Sequence, residues 1–130
     1  MKRITNIEGV PPASGPYSSA TVSSGDFIFV AGQGPWDPER RAFVRGTIAE
    51  QTQLTLECIR RIVEAAGGNL ENAVSCRVFL QPLNDESFAE MNAVYAQFFP
   101  KGKPARTTVG CVLLGIDVEI DAVVQIGNRE

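Results

Sequence analysis

The segment Val118-Glu119-Ile120-Asp121-Ala122-Val123-Val124-Gln125-Ile126, near the end of the chain, decides the fold because apolar residues alternate along it. Successive side chains of a β-strand point to opposite faces. One face therefore carries only apolar residues, namely Val118, Ile120, Ala122, Val124 and Ile126. The other face carries Asp117, Glu119, Asp121, Val123 and Gln125. The pattern predicts a strand over 117–126 with one buried face, and we expect Asp117 and Asp121 on a solvated acidic surface.

A second strand is predicted just upstream, over about 105–113, by Pro104-Ala105-Arg106-Thr107-Thr108-Val109-Gly110. Its Arg106, Thr108 and Gly110 share one face. An arginine at a strand edge is usually a surface charge, yet a guanidinium is also the side chain best suited to bidentate binding of a carboxylate. Glu119 has two open interpretations, a solvated charge or a carboxylate that holds a water. Together, Arg106 and Glu119 would suffice to bind and hydrolyse a small acid.

Two helices are predicted, one on each side of a strand over 74–80. Thr47 and Glu50 form a capping box, and Gly67-Gly68 ends a helix whose apolar stripe is Ile48, Thr52, Leu56, Ile59, Val63 and Ala66. Asn84 can cap a second helix, before Pro100, whose stripe is Phe88, Met91, Tyr95 and Phe98. Further strands are expected over 17–23 and 27–31.

This order of elements predicts the fold class. We expect one domain over 1–130, an α/β (α+β) sandwich with both helices on one face of a mixed sheet. The second face of the sheet must then meet water or a partner. Because 74–80 carries apolar residues on both faces, an oligomer is favoured.

Composition excludes several classes of function. The net charge of −3 offers no general attraction for nucleic acid or for an anionic membrane. The absence of histidine removes Ser-His-Asp and Cys-His catalysis and histidine-ligated zinc. Three widely spaced cysteines, Cys58, Cys76 and Cys111, fit buried free thiols better than disulfides. With no apolar leader and no run of about 20 apolar residues, a cytoplasmic protein is expected.

Two further segments are candidate parts of a site. Gly32-Gln33-Gly34 lacks the rest of a dinucleotide-binding fingerprint and is interpreted as a tight turn with exposed amides. Tyr17, after Gly15-Pro16, is by default a packing residue with a polar tip.

Several motifs in order resemble the reactive intermediate deaminase (Rid, or YjgF) family over nearly the whole chain. They are Gly15-Pro16-Tyr17-Ser18, Gly32-Gln33 with Pro35, Ile62-Val63-Glu64-Ala65-Ala66-Gly67, Leu83-Asn84-Asp85, Phe88, Asn92, Tyr95-Ala96-Gln97-Phe98-Phe99, Pro104-Ala105-Arg106 and Glu119-Ile120-Asp121-Ala122. The resemblance implies a chorismate-mutase-like fold and a homotrimer with an active site in each cleft between subunits.

The resemblance also implies an activity: cofactor-free hydrolysis of 2-imino acids such as 2-iminobutanoate and 2-iminopropanoate to 2-keto acids and ammonia. In that comparison Arg106 would bind the substrate carboxylate and Glu119 would position or activate water. Tyr17 and the backbone at Gly32 and Thr108 would line the pocket. Neither a metal nor a cofactor is expected.

Two positions depart from the best-known deaminase branch, and they leave the substrate open. Ala31 replaces a serine, Thr108 replaces a cysteine, and the loop between Arg106 and Glu119 is two residues shorter. One alternative is therefore a deaminase of a larger catabolic enamine, of the 2-aminomuconate or aminoacrylate type. Another is a non-catalytic, chaperone-like trimer that binds small acids. Ribonuclease activity, a label often attached to the family, fits least.

Overall fold

The computed structural model describes residues 1–127, and within them the chain forms eight strands and two helices. In chain order the elements are β1 Lys2–Ile4, β2 Ala20–Val22, β3 Asp26–Gln33, β4 Trp36–Asp37, β5 Ala42–Phe43, α1 Ile48–Ala65, β6 Ala73–Leu80, α2 Asp85–Gln97, β7 Ala105–Gly110 and β8 Val118–Gly127. A short 3-10 turn, Leu70–Asn72, precedes β6.

The main sheet has four strands in the order β3-β8-β6-β7. The closing strand β8 lies inside it and pairs antiparallel with both β3 and β6. The edge strand β7 pairs parallel with β6. A parallel pair needs a crossover, and α2 lies in the connection from β6 to β7. The result is the expected mixed sheet, with β1-β2 and β4-β5 as separate two-stranded ribbons.

Both helices pack on the same face of this sheet and form the core with it. As the alternation predicts, Val118, Ile120, Ala122 and Val124 are buried, but Ile126 at the end of the strand is 37% exposed, so its expected burial was wrong. They pack with side chains from β6 and both helices, which include Val78, Leu80, Leu56, Ile59, Val63, Met91 and Tyr95. The α+β sandwich with two helices on one face is therefore confirmed.

Both helices begin at the predicted caps. The Thr47 hydroxyl accepts a hydrogen bond from the Glu50 amide, which is one half of the expected capping box. Asn84 and Ser87 exchange both bonds of a second box. At the other end of α1, Ala66 follows the last helical residue and is exposed, so its place in the buried stripe was wrong.

The strand bounds differ from the sequence expectations in three places. The strand expected over 17–23 is only β2, because Ser18 instead bridges to Ala105 at the start of β7. The turn expected at Gly32-Gln33 is wrong, since β3 continues to Gln33 through an irregularity between Val30 and Gln33. Finally, β7 ends at Gly110, where a loop over 111–117 begins.

Two glutamines and one aspartate fasten the loop over 111–117. Gln51 is fully buried; its amide donates to Asp117 Oδ2 at 3.0 Å, and its carbonyl oxygen accepts from the Asp117 amide at 2.8 Å. Gln81 accepts from the Leu113 amide at 2.8 Å. Arg45 adds an ion pair to Asp117 at 2.9 Å. These contacts therefore fix the conformation of the loop and the position at which β8 begins.

The expected solvated acidic surface was wrong for both aspartates. Asp117 is held by Arg45 and Gln51, and Asp121 binds Arg77 at 2.6 Å in an ion pair across the β6-β8 ladder. The sequence pattern places a charge on a face but does not show which opposite charge the neighbouring strand brings beside it.

Asp117→Asn tests the loop fastening. Hydrogen bonds from Arg45 hold the pKa of Asp117 below its usual value, with Gln51 and Gln81 adding to the effect. The carboxylate thus contributes stability above its unfolded pKa of about 4, and that contribution disappears as pH falls through the lower folded value. We expect the variant to melt at a lower temperature at pH 7, and the difference from the unmodified protein to shrink below about pH 4.

Thermal unfolding followed by circular dichroism across this pH range measures the effect. Glu39→Gln, at an exposed position between β4 and β5, is the matched loss of a carboxylate and should melt like the unmodified protein. An Asp117→Asn curve that coincides with the unmodified protein at pH 7 would contradict the role of the network.

Candidate functional site

The guanidinium of Arg106 lies between β7 and α2, inside a ring of aromatic side chains. Its Cζ atom is 4.9 Å from the ring centre of Tyr95, 5.4 Å from that of Tyr17 and 5.5 Å from that of Phe88. In the parallel register Arg106 is opposite Cys76, which is buried on the helix face of β6. Arg106 is thus not the surface charge that a strand-edge arginine usually is.

No anionic side chain neutralises this arginine within residues 1–127. Arg106 forms no ion pair there, and its Nε and Nη2 atoms are buried without a hydrogen-bond partner. Its one polar contact is weak, 3.9 Å from Nη1 to the sulfur of Met91. Burial lowers the pKa of Arg106. A half-buried cation whose donors are unused is costly on its own and favours the binding of an anion.

Further buried polar atoms lie on the two elements that hold this guanidinium. Asn92 Oδ1 on α2 and Thr108 Oγ1 on β7 are each buried without a hydrogen-bond partner. Thr108 pairs in register with buried Val78, so it lies on the Arg106 face of β7 as expected. Buried polar groups are normally paired, so these unsatisfied donors and acceptors make the region of Arg106 the candidate binding site.

Asn92 is the member of this cluster that sequence reasoning did not select as a site residue. A β-carbon built on Gly15 would lie 2.9 Å from Arg106 Nη2 and 3.1 Å from Asn92 Nδ2, so the three residues meet at one point. The available signal was helical spacing, because residue 92 follows Phe88 by four positions and shares its side of α2.

The buried thiol beneath the guanidinium is chemically inert. Burial raises the pKa of Cys76 to about 12 and raises that of neighbouring Tyr95 well above its usual value. Both groups are therefore neutral near pH 7 and act as packing. Cys58 is likewise buried and free, as expected; Cys111 is free but partly exposed, so the expectation of a buried thiol was wrong there.

Glu119 and Gly32 meet on the opposite face of the sheet. A β-carbon built on Gly32 would lie 2.8 Å from Glu119 Oε2, so the carboxylate rests directly on the glycine backbone. Beside it the outer face forms a concave region of about 460 Å³, lined in part by Phe29, Ala31, Gly32, Arg77 and Asp121. Phe29 is 78% exposed on this face, which is unusual for a large aromatic side chain.

The predicted site residues therefore form two separate groups. Arg106, Thr108 and Tyr17 lie together near α2, while Glu119 and Gly32 lie on the outer face. Strand β6 separates β7 from β8, so the two groups are also two strand spacings apart, about 10 Å. A small acid held by Arg106 cannot reach Glu119 of the same copy.

Between Met1 and Gly127, histidine, cysteine, aspartate and glutamate side chains form no group of three or more that could hold a metal ion. In that same range no helix has both the length and the apolar character needed to cross a membrane.

Comparison with known proteins gives consistent matches. The family profile described as Endoribonuclease L-PSP matches residues 8–126. A RutC family protein of Pyrococcus horikoshii is 44% identical over 95% of this chain and 97% of its own length.

Solved structures agree with these matches. A conserved Rid family protein of Yersinia pestis superposes with a TM-score of 0.82 at 25% identity, covering 95% of this chain and 97% of its own. TdcF of E. coli, solved with bound serine, has a TM-score of 0.69 at 31% identity, covering 95% and 98%.

Gly32→Ala tests the contact between Gly32 and Glu119. The new methyl group would overlap the carboxylate, which can rotate away because it ends a flexible side chain. We expect a loss of less than about 1 kcal/mol in the free energy of unfolding, together with a displaced Glu119 carboxylate. Urea unfolding and a crystal structure of the variant measure the two effects.

The double variant Gly32→Ala/Glu119→Ala provides the control. Once the carboxylate is absent, the extra methyl group should cost less than it does alone, which a double-mutant cycle reads as coupling. If the losses in the free energy of unfolding are additive, or if the carboxylate does not move in Gly32→Ala, the contact is not as close as described.

Proposed function

The chain belongs to the Endoribonuclease L-PSP family, which includes the Rid, YjgF and RutC proteins, and on that premise we propose that it is a deaminase of small 2-imino acids. The proposed reaction is hydrolysis of substrates such as 2-iminobutanoate and 2-iminopropanoate to 2-keto acids and ammonia. Family membership supports an imine-processing role in general, and the arrangement around Arg106 supports the acidic substrate.

The observation that carries the proposal is the unpaired guanidinium of Arg106. Its buried Nε and Nη2 atoms form the bidentate donor pair that a carboxylate accepts. Three aromatic rings lie within cation–π distance of the guanidinium and stabilise its charge. A carboxylate that enters would supply the missing anion and gain from the low local dielectric constant. That TdcF was solved with bound serine, a small amino acid, agrees with a ligand of this class.

Glu119 would act on the water. In the proposed step, a water oxygen bonds to C2 of the imine, and the nitrogen takes up protons and leaves as ammonia when the carbinolamine collapses to the ketone. A carboxylate beside the bound imine can hold that water in position for attack. Gly32 supports the geometry because a larger residue would displace the carboxylate. None of these steps needs histidine, which the chain lacks.

We also propose that the site is shared between copies in a homotrimer. Arg106 and Glu119 lie on opposite faces of one sheet, so a complete site needs Arg106 from one copy and Glu119 from another. The loop over 111–117 offers an apolar surface for such contacts, with Val112 87% exposed and Leu114 94% exposed. Its fastening by Gln51 and Gln81 supports this, since a preformed loop loses little entropy on association.

The differences at Ala31 and Thr108 leave two substrate sizes open within this class. Ala31 lines the outer concave region without a hydroxyl, and Thr108 has a buried, unpaired hydroxyl on the Arg106 face of β7. A larger enamine acid of the 2-aminomuconate type therefore stays a second candidate. Comparing turnover of a four-carbon imine with that of a larger enamine would separate the two.

A cytoplasmic location for this protein also stays a prediction.

The family description raises RNA cleavage as a further candidate. A chain with a net charge of −3 and no histidine has neither the electrostatic attraction for RNA nor the usual acid-base pair for cleaving it. Loss of RNA cleavage after repeated purification would identify a contaminant as its source.

Loss of Arg106 should abolish carboxylate binding. With a threonine dehydratase supplying the imine, the unmodified protein should accelerate keto-acid and ammonia release over buffer. Arg106→Ala should lower kcat/KM by at least about a hundredfold, since it removes a charge-assisted bidentate contact. Absence of acceleration by the folded, unmodified protein would refute the imine deaminase, and normal activity of Arg106→Ala would remove the carboxylate role.

Mixing two inactive variants tests whether the site is shared. Arg106→Ala and Glu119→Ala should each be inactive alone. When they are unfolded and refolded together, about a quarter of the sites in randomly mixed rings should combine a native Arg106 with a native Glu119. Activity should return to roughly that fraction. The double variant carrying both changes in one chain, refolded with unmodified protein, is the control. If the mixture of single variants stays inactive although mixed oligomers form, the shared site is wrong.

A further inference from the structure

We propose that Ser14 is a positioning residue of the carboxylate site, holding the Tyr17 phenol so that its proton is directed to the ligand. This inference rests on the proposed function, because it adds a second donor to the carboxylate bound by Arg106. Ser14 itself is exposed and lies in the irregular segment before Tyr17, where the sequence gives no sign of a role.

Ser14 makes two contacts with one atom. Its backbone N–H donates to the Tyr17 hydroxyl oxygen at 3.1 Å, and its own hydroxyl lies 3.2 Å from the same oxygen. The Tyr17 amide in turn donates to the Gly15 carbonyl at 2.9 Å. These bonds close Ser14-Gly15-Pro16-Tyr17 into a small turn, which we call the Ser14–Tyr17 turn.

The Ser14–Tyr17 turn covers the guanidinium of Arg106. The Tyr17 ring centre is 5.4 Å from Arg106 Cζ, and the Gly15 backbone leaves no room for a side chain beside Nη2. The orientation of the phenol is thus set by Ser14 on one side and by the guanidinium on the other. The Tyr17 ring is only partly buried, so the two Ser14 contacts are what restrain its hydroxyl end.

Hydrogen-bond counting gives the direction of the phenol proton. A phenol oxygen accepts up to two hydrogen bonds and donates one. The Ser14 amide can only donate, and when the freely rotating Ser14 hydroxyl donates as well, both acceptor positions are filled. The phenol proton is then left for an acceptor outside the turn. A carboxylate at Arg106 is the acceptor that the site lacks, and donation from Ser14 polarises the phenol for that contact.

The acidity of the phenol agrees with this geometry. The two Ser14 hydrogen bonds are the main reason that the pKa of Tyr17 lies below its usual value, with Arg106 making a smaller contribution in the same direction. Groups that donate to an oxygen stabilise its anion, so a lowered pKa is what donation from Ser14 produces.

The test compares Ser14→Ala with Ser14→Thr, using the full chain. Ser14→Ala should raise the pKa of Tyr17 toward its usual value, measured by the near-ultraviolet absorbance of the phenolate. The chain has two tyrosines, and burial raises the pKa of Tyr95 well above its usual value, so the first transition is assigned to Tyr17. Binding of 2-ketobutyrate, measured by calorimetry, should weaken by about three- to tenfold, the effect of one neutral hydrogen bond.

Turnover should change in KM rather than kcat, because the substrate carboxylate is bound equally before and during the reaction. Ser14→Thr retains the hydroxyl and should restore the phenol pKa and the affinity. Ser19→Ala, at an exposed serine two residues after Tyr17, is the control and should resemble the unmodified protein. If Ser14→Ala leaves both the Tyr17 pKa and the affinity unchanged, the positioning role is wrong.

The outcomes also separate this inference from the proposed function. If the unmodified protein binds 2-ketobutyrate but hydrolyses no imine, the proposed reaction is wrong and the Ser14 effect is still decided by titration and binding. If the unmodified protein does not bind 2-ketobutyrate at all, both proposals are wrong.

Discussion

The two-residue alternation of β8 is the constraint on which the rest of the structure depends. Because β8 pairs with strands on both sides, its apolar face must meet the helices and its polar face must turn away from them. This places Glu119 outside. The same alternation carried through β6 into β7 places Arg106, opposite Cys76, on the helix side. One hydrogen-bonded register therefore separates the two charges that the sequence suggests as partners.

The separation of Arg106 from Glu119 leaves two unfavourable features in a single copy of the chain. A half-buried guanidinium without a carboxylate and a wide outer face with Phe29 exposed are both unfavourable in an isolated chain. The proposed function would resolve both, with a substrate carboxylate at Arg106 and a second copy of the chain on the outer face. Aromatic rings around Arg106 and the hydrogen bonds of the loop over 111–117 fix the two surfaces in advance.

Local patterns predicted the elements well where a single segment carries the whole reason. The caps at Thr47 and Asn84 are local, because the capping atoms lie within three residues of the amides they bind. Prediction was wrong where the partner is distant. Gly32 and Gln33, expected to form a turn, belong to β3 because β8 pairs with this segment. Asp117, expected to be solvated, is paired because α1 contributes Gln51 and the segment before α1 contributes Arg45. A window of neighbouring residues contains neither fact.

By itself the sequence determined the α+β architecture, the buried face of β8 and the choice of Arg106 and Glu119 as the residues to follow, since these rest on periodicity, motifs and residue chemistry. Only the tertiary structure decided that Arg106 lies among three aromatic rings and beside Asn92, with no anionic partner in residues 1–127, and that Glu119 faces the other way. The physical reason is that strand order and register, set by pairing between distant segments, fix which side chains meet.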